Sequence, residues 1–150
     1  MADETEALAI AFGSDEATAL TDALLGRFAE RGDSVERFGA IADGGTDWPA
    51  IARAVGGAVR EGRAHYGVVC CWTGTGVSIA ANKVAGVRAA LCGDVETARG
   101  ARRWNDANVL ALSLRATSIP VALEILDAFL TTPASDRADD RRAVETIEGE

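Results

Sequence analysis

The apolar run His65-Tyr66-Gly67-Val68-Val69-Cys70-Cys71, closed by Trp72-Thr73-Gly74-Thr75-Gly76, constrains the fold more than any other feature of the chain. The run reads as a buried strand, because apolar residues continue along it without alternation. Val77 to Lys83 reads as a helix start. The residues between them are small, and glycine there permits positive φ and close approach of a ligand to the backbone. A thiol therefore stands at the carboxyl end of a strand, beside a turn that opens a helix. Free N–H groups at a helix start favour an anion. A cysteine next to such an oxyanion cradle suits proton abstraction from a carbon beside a carbonyl. The turn matches neither the G-x-G-x-x-G fingerprint nor the Walker pattern, which argues against a dinucleotide or a nucleoside triphosphate. Spacing alone leaves Cys71 two readings, a base or a small core residue.

The same strand-then-helix rhythm runs along the whole chain. Leu8 to Asp15 reads as the first strand, and Thr18 to Arg31 as a helix with Leu20, Leu24, Leu25 and Phe28 at helical spacing. Ser34 to Phe38 is a short second strand, and Trp48 to Glu61 a helix with Pro49 in its first turn. After the Cys71 strand come strand four over Val87 to Cys92, an arginine-rich helix over Asp94 to Trp104, and strand five over Asn108 to Arg115. Ser118 to Leu130 is an apolar helix. Residues 134–150 are charged and form a solvated helix or an arm for a partner subunit. This alternation predicts one α/β domain over 1–150, a five-stranded, mostly parallel sheet with helices on both faces. Ligands of such folds sit at the carboxyl ends of the strands, which here carry Asp15, Cys71, Gly93-Asp94 and Arg115.

Composition narrows the functions open to this fold. The 150 residues are 48% hydrophobic, enough for a real core, and the net charge is −8. That charge excludes the basic footprint of a nucleic-acid partner and opposes an anionic membrane surface. No apolar run is long enough to span a bilayer. Met1 to Glu6 is acidic and lacks the pattern of a signal peptide, so a cytoplasmic location is expected. Cys70, Cys71 and Cys92 fit no zinc spacing and are expected to be reduced, with Cys70 and Cys71 on opposite sheet faces. Lys83, the sole lysine, reads as a cation complementing the end of its helix. His65, the sole histidine, lies at the start of its strand, opposite the site, and reads as structural.

The block Gly67 to Lys83 resembles the signature of the ribose-5-phosphate isomerase B and galactose-6-phosphate isomerase (RpiB/LacAB) family. The resemblance continues through Gly86 to Cys92, Asn105 to Leu112 and Ala128 to Pro133, and includes Gly13-Ser14-Asp15 and Thr46-Asp47-Trp48-Pro49. It implies a Rossmann-like αβα sandwich, and a dimer or tetramer whose active sites are shared between subunits. The implied chemistry is aldose–ketose isomerisation through a cis-enediolate, without metal or organic cofactor. By this resemblance Cys71 is the proton-shuttling base. Thr73 and the backbone of Gly74, Thr75, Gly76, Val77 and Ser78 hold the enediolate oxygens. Asp15 and Asn105 meet sugar hydroxyls, and Arg115 holds the distal phosphate.

The chain also departs from the family pattern. Glu16 replaces a histidine after Gly-Ser-Asp, and Trp72 replaces the glycine after the base. Trp104 replaces the histidine with which the family opens the sugar ring. Ala138-Asp139-Asp140-Arg141-Arg142 weakens a cationic C-terminal motif. Trp72 and Trp104 read either as core filling or, the favoured reading, as walls of a reshaped pocket, smaller and drier than the family's. Arg99, Arg102 and Arg103 are either a solvated face or phosphate ligands for a neighbouring subunit. The expected activity is thus isomerisation of a substrate other than ribose 5-phosphate, one that is open-chain or short-chain. A non-catalytic sugar-binding or partner subunit, and a repurposed enolising or epimerising enzyme, are the rival expectations.

Overall fold

The computed structural model describes residues 6–149, so most of the acidic Met1 to Glu6 start lies outside the described residues. Five strands, β1 (Ala9–Ser14), β2 (Ser34–Gly39), β3 (Tyr66–Cys71), β4 (Ala89–Leu91) and β5 (Val109–Ser113), form one sheet in the order β2-β1-β3-β5-β4. Every pairing is parallel, so the expected "mostly parallel" sheet is parallel throughout. Helices α1 (Ala19–Arg31), α2 (Trp48–Arg60), α3 (Thr75–Asn82), α4 (Val95–Asn105) and α5 (Ile119–Thr131) connect and flank the strands, and α6 (Ala138–Glu148) closes the chain.

Strand pleating divides the core in two. Even positions of β1 and β3, with Leu110 and Leu112 of β5, face the layer of α1, α4 and α5. Phe12 and Phe28 meet there edge to face, as do Tyr66 and Phe129. Ala11, Val69, Cys71, Val109 and Ala111 face the layer of α2 and α3, whose residues are smaller. Cys70 and Cys71 therefore lie on opposite faces of β3, as expected, and both thiols are free.

Local chemistry sets the element ends. Thr18 and Thr21 form a reciprocal capping box at the start of α1, and Gly32 ends that helix at φ 84°. Asp47, Asp94 and Ser118 cap α2, α4 and α5. Several details differ from the sequence expectation. α3 begins at Thr75 rather than Val77, because Gly74 at φ 79° turns the chain directly into the helix. β4 shrinks to the three residues, Ala89 to Leu91, that pair with β5. A 3₁₀ turn over Ala40–Ala42, unsignalled in the sequence, ends at Asp43 in the left-handed region.

Buried Arg102 ties the lower edge together. It donates to the carbonyls of Ala107 and Thr132 and to the Asp106 carboxylate, and its guanidinium lies over the Tyr66 ring. Arg102 is thus structural, which removes it from the candidate phosphate ligands. Among the described residues no helix is long and apolar enough to cross a membrane.

Candidate active site

The strand order reverses direction at β1 and β3, so the crevice at their carboxyl ends is the topological switch point. Asp15 follows β1 there, Cys71 ends β3, and the β5 end delivers Arg115. The structure brings these to one edge, with Gly93 and Asp94 beyond β4.

The β3 and β5 ends are joined by their backbones. Leu114 N–H donates to the Cys71 carbonyl, and Arg115 N–H to the Trp72 carbonyl, each at 3.0 Å. Ser113 Oγ donates to the same Trp72 carbonyl at 3.0 Å and accepts from Ala116 N–H at 3.1 Å. Ser113 was not among the expected site residues; its position as the last polar residue of a buried strand is the signal that could have found it. The hydroxyls of Thr73 and Thr75 bond one another at 2.8 Å, and Thr75 N–H reaches Thr73 Oγ1 at 3.4 Å.

At the α3 start, the N–H groups of Gly76 and Val77 lie in the first turn, where no intrahelical acceptor precedes them. Ser78 differs from the expectation: its N–H already donates to the Gly74 carbonyl at 3.3 Å, because the helix begins two residues early. The Val77 side chain is fully buried and can offer a ligand only its backbone. Trp48, another residue outside the expected set, packs its ring on Gly76, where an added Cβ would lie 2.9 Å from a ring carbon. Its place in Thr46-Asp47-Trp48-Pro49 was the available clue.

A cavity of about 270 Å³ opens beside this edge, lined by Thr73, Cys92, Gly93, Ser113, Arg115 and Thr117 among others. Thr73 and Arg115 share it. Cys71 is not part of its lining and is only 6% exposed, facing the α2/α3 layer. Burial pushes the Cys70 thiol far up, with Cys71 and Asp15 adding repulsion, which suits an inert core residue. Burial likewise pushes Cys92 up to about 11. Burial also holds the Asp15 carboxyl above its ordinary value, with Glu16 adding to the effect. Among the described residues no three His, Cys, Asp or Glu side chains gather to hold a metal ion.

Trp104 and Asn105 are elsewhere. They end α4, which runs back from the carboxyl edge of the sheet to the amino edge before β5 begins. Both are exposed, and Trp104 lines a small cavity of about 70 Å³ with Arg103, Ser135, Asp140 and Arg141. One chain therefore does not bring Asn105 or Trp104 to Cys71. His65 also lies at the amino edge, where its Nδ1 accepts from Ala9 N–H at 2.9 Å, the structural role expected of it.

Known proteins of this architecture share more than the fold. A family model described as Ribose/Galactose Isomerase matches residues 10–147. Ribose-5-phosphate isomerase B of Escherichia coli is 40% identical over 122 residues, 81% of this chain and 82% of its own. D-erythrulose-4-phosphate isomerase of Pectobacterium atrosepticum is 35% identical over 125 residues, 82% of each chain. The solved structure of Trypanosoma cruzi type B ribose 5-phosphate isomerase superposes with a TM-score of 0.89 at 36% identity, covering 96% of both chains.

Proposed function

The chain belongs to the ribose/galactose isomerase family and is a sugar-phosphate isomerase, and we propose that it interconverts a short, open-chain ketose phosphate with its aldose by means of Cys71. The observation that carries this reading is the convergence of Thr73, the α3 start and Arg115 on one sheet edge next to the Cys71 strand end. The Cys71 thiolate takes the proton from the carbon beside the carbonyl. The pair of oxygens in the resulting cis-enediolate is met by the Gly76 and Val77 N–H groups and the Thr73 hydroxyl. Cys71 returns the proton to the neighbouring carbon, while one hydroxyl proton moves between the two oxygens, so nothing is gained or lost. Arg115 holds the phosphate at the far end of the cavity, and Asp15 meets a hydroxyl.

The contents of the site limit the chain length of the substrate. A pentose 5-phosphate closes a furanose ring and must be opened by a proton donor–acceptor. Trp104, an indole, has one donor and no acceptor for that task. A tetrose 4-phosphate cannot close that ring, because the needed hydroxyl carries the phosphate. The relative that is a D-erythrulose-4-phosphate isomerase supports this substrate class.

The site is completed by a second copy in this reading. Asn105 and Trp104 lie at the amino edge, so they reach a substrate only in a neighbouring subunit's crevice. The direct test of the base is solvent exchange: in D₂O a true substrate gains deuterium at C1 or C2. Cys71→Ala lowers this exchange by about 10²- to 10⁴-fold, the usual worth of a positioned acid–base group, and retains the far-ultraviolet dichroism of the parent. A non-catalytic sugar-binding subunit is the second reading, favoured by the absence of Cys71 from the cavity lining. Ligand binding without exchange on any sugar phosphate would establish it over the first.

A further inference from the structure

Trp72 is 60% exposed, an unusual place for an indole with no layer to fill. Its backbone is among the firmest points of the site. The Trp72 carbonyl accepts from both Arg115 N–H and Ser113 Oγ, each at 3.0 Å. Its ring lies 5.9 Å from the Arg115 guanidinium carbon, within cation–π range. The same residue thus holds Arg115 twice, once by the main chain and once by the side chain.

The choice of partner has an electrostatic consequence. Arg27, Arg63, Arg88 and Arg99 are held by carboxylates, which cancel their charge. An aromatic face orients a guanidinium but leaves its positive charge and its N–H donors available to an anion. In a chain of net charge −8, an arginine held in this way is suited to bind a phosphate dianion bidentately.

We propose that Trp72 is the positioning residue of the anion anchor, its indole holding the Arg115 guanidinium at the cavity without neutralising it, for a phosphate monoester. This rests on the reading of Arg115 as the phosphate anchor. Trp72 does no chemistry; it acts through Arg115, on binding rather than on proton transfer.

The test uses the full-length protein and inorganic phosphate, with the dissociation constant taken from ³¹P line broadening and the indole emission followed in parallel. Trp72→Leu weakens phosphate binding by about three- to five-fold, the scale of one exposed cation–π contact. Trp72→Phe, which keeps an aromatic face, stays within about two-fold of the parent. The parent's emission changes with phosphate, and Trp72→Phe binds phosphate without that change. With a phosphorylated substrate, the Trp72→Leu effect falls on KM rather than kcat. Unchanged phosphate affinity in Trp72→Leu, with weakened binding in Arg115→Ala, would overturn the role of Trp72 and leave the anchor standing. Unchanged affinity in Arg115→Ala would overturn the anchor reading and the proposal together. Because phosphate binding is read without turnover, neither result depends on Cys71 being the base.

Discussion

Cys70 and Cys71 are adjacent in sequence, yet the pleat sends one into the α1/α4/α5 layer and the other towards the α2/α3 layer. Their substitutions should separate accordingly. Cys70→Ala removes a fully buried sulfur and costs on the order of 1 kcal/mol of stability through lost packing, with near-normal turnover; Cys71→Ala does the reverse. Urea denaturation and kinetics on both variants measure the split. Asp15 offers a test by pH. Its carboxyl is raised by burial, so its contribution is fully present below the unfolded value of about 3.9 and is lost as pH rises through the folded value. Asp15→Asn removes this loss. The urea midpoint of the variant should gain on the parent as pH rises from about 4 towards neutrality, and a constant difference would contradict the assignment. Opposite faces for the two thiols were legible from period two alone. The burial of Cys71 away from the cavity lining was not, because it depends on how α2 and α3 cover the strand end.

The turn between β3 and α3 is where backbone conformation matters most. Gly74 has φ 79°, and an added Cβ would lie 2.6 Å from Leu91 Cδ1 and 2.9 Å from the Leu112 carbonyl carbon. Gly74→Ala therefore meets both left-handed strain and the β5 backbone, and should cost about 1–3 kcal/mol together with most activity. At the other end of the stability scale, Thr18→Ala breaks the α1 capping box and should cost about 1 kcal/mol with turnover intact. Thermal unfolding with parallel rate measurements distinguishes the two. Element identity was readable for the five strands and for α1 to α5, where apolar runs and 3.6-residue spacing alternate; the α6 segment reads as either a helix or an arm, and the 3₁₀ turn carried no signal. Ends were less readable: the α3 start depends on the left-handed turn at Gly74, and β4 extends only as far as its three-residue pairing with β5. The role of Ser113 in joining β3 to β5 follows from tertiary register, which no local pattern contains.

The whole molecule places the proposed site residues at opposite edges of one sheet. The carboxyl edge carries Asp15, the Cys71 turn and Arg115; the amino edge carries Trp104 and Asn105. Helix α6 packs beside α4, and Glu148 at its end pairs with Arg88, just ahead of β4, at 2.6 Å. Among the described residues it buries none of its own and leaves Ile147 61% exposed. In the proposed reading a second copy unites the half-sites and covers this helix. Light scattering should therefore give at least twice the 15.6 kDa of one chain, and a monomer at micromolar concentration would contradict the shared site. The family resemblance in the sequence pointed to sharing, and in the proposed reading the opposite placement of Asn105 and Cys71 requires it. The substrate is tested most directly by kcat/KM for D-erythrulose 4-phosphate against ribose 5-phosphate on the same preparation. A chain that lacks a ring-opening histidine should favour the tetrose phosphate by an order of magnitude or more, and Cys71→Ala should abolish that turnover. Efficient conversion of ribose 5-phosphate, equal to or above the tetrose rate, would contradict the account.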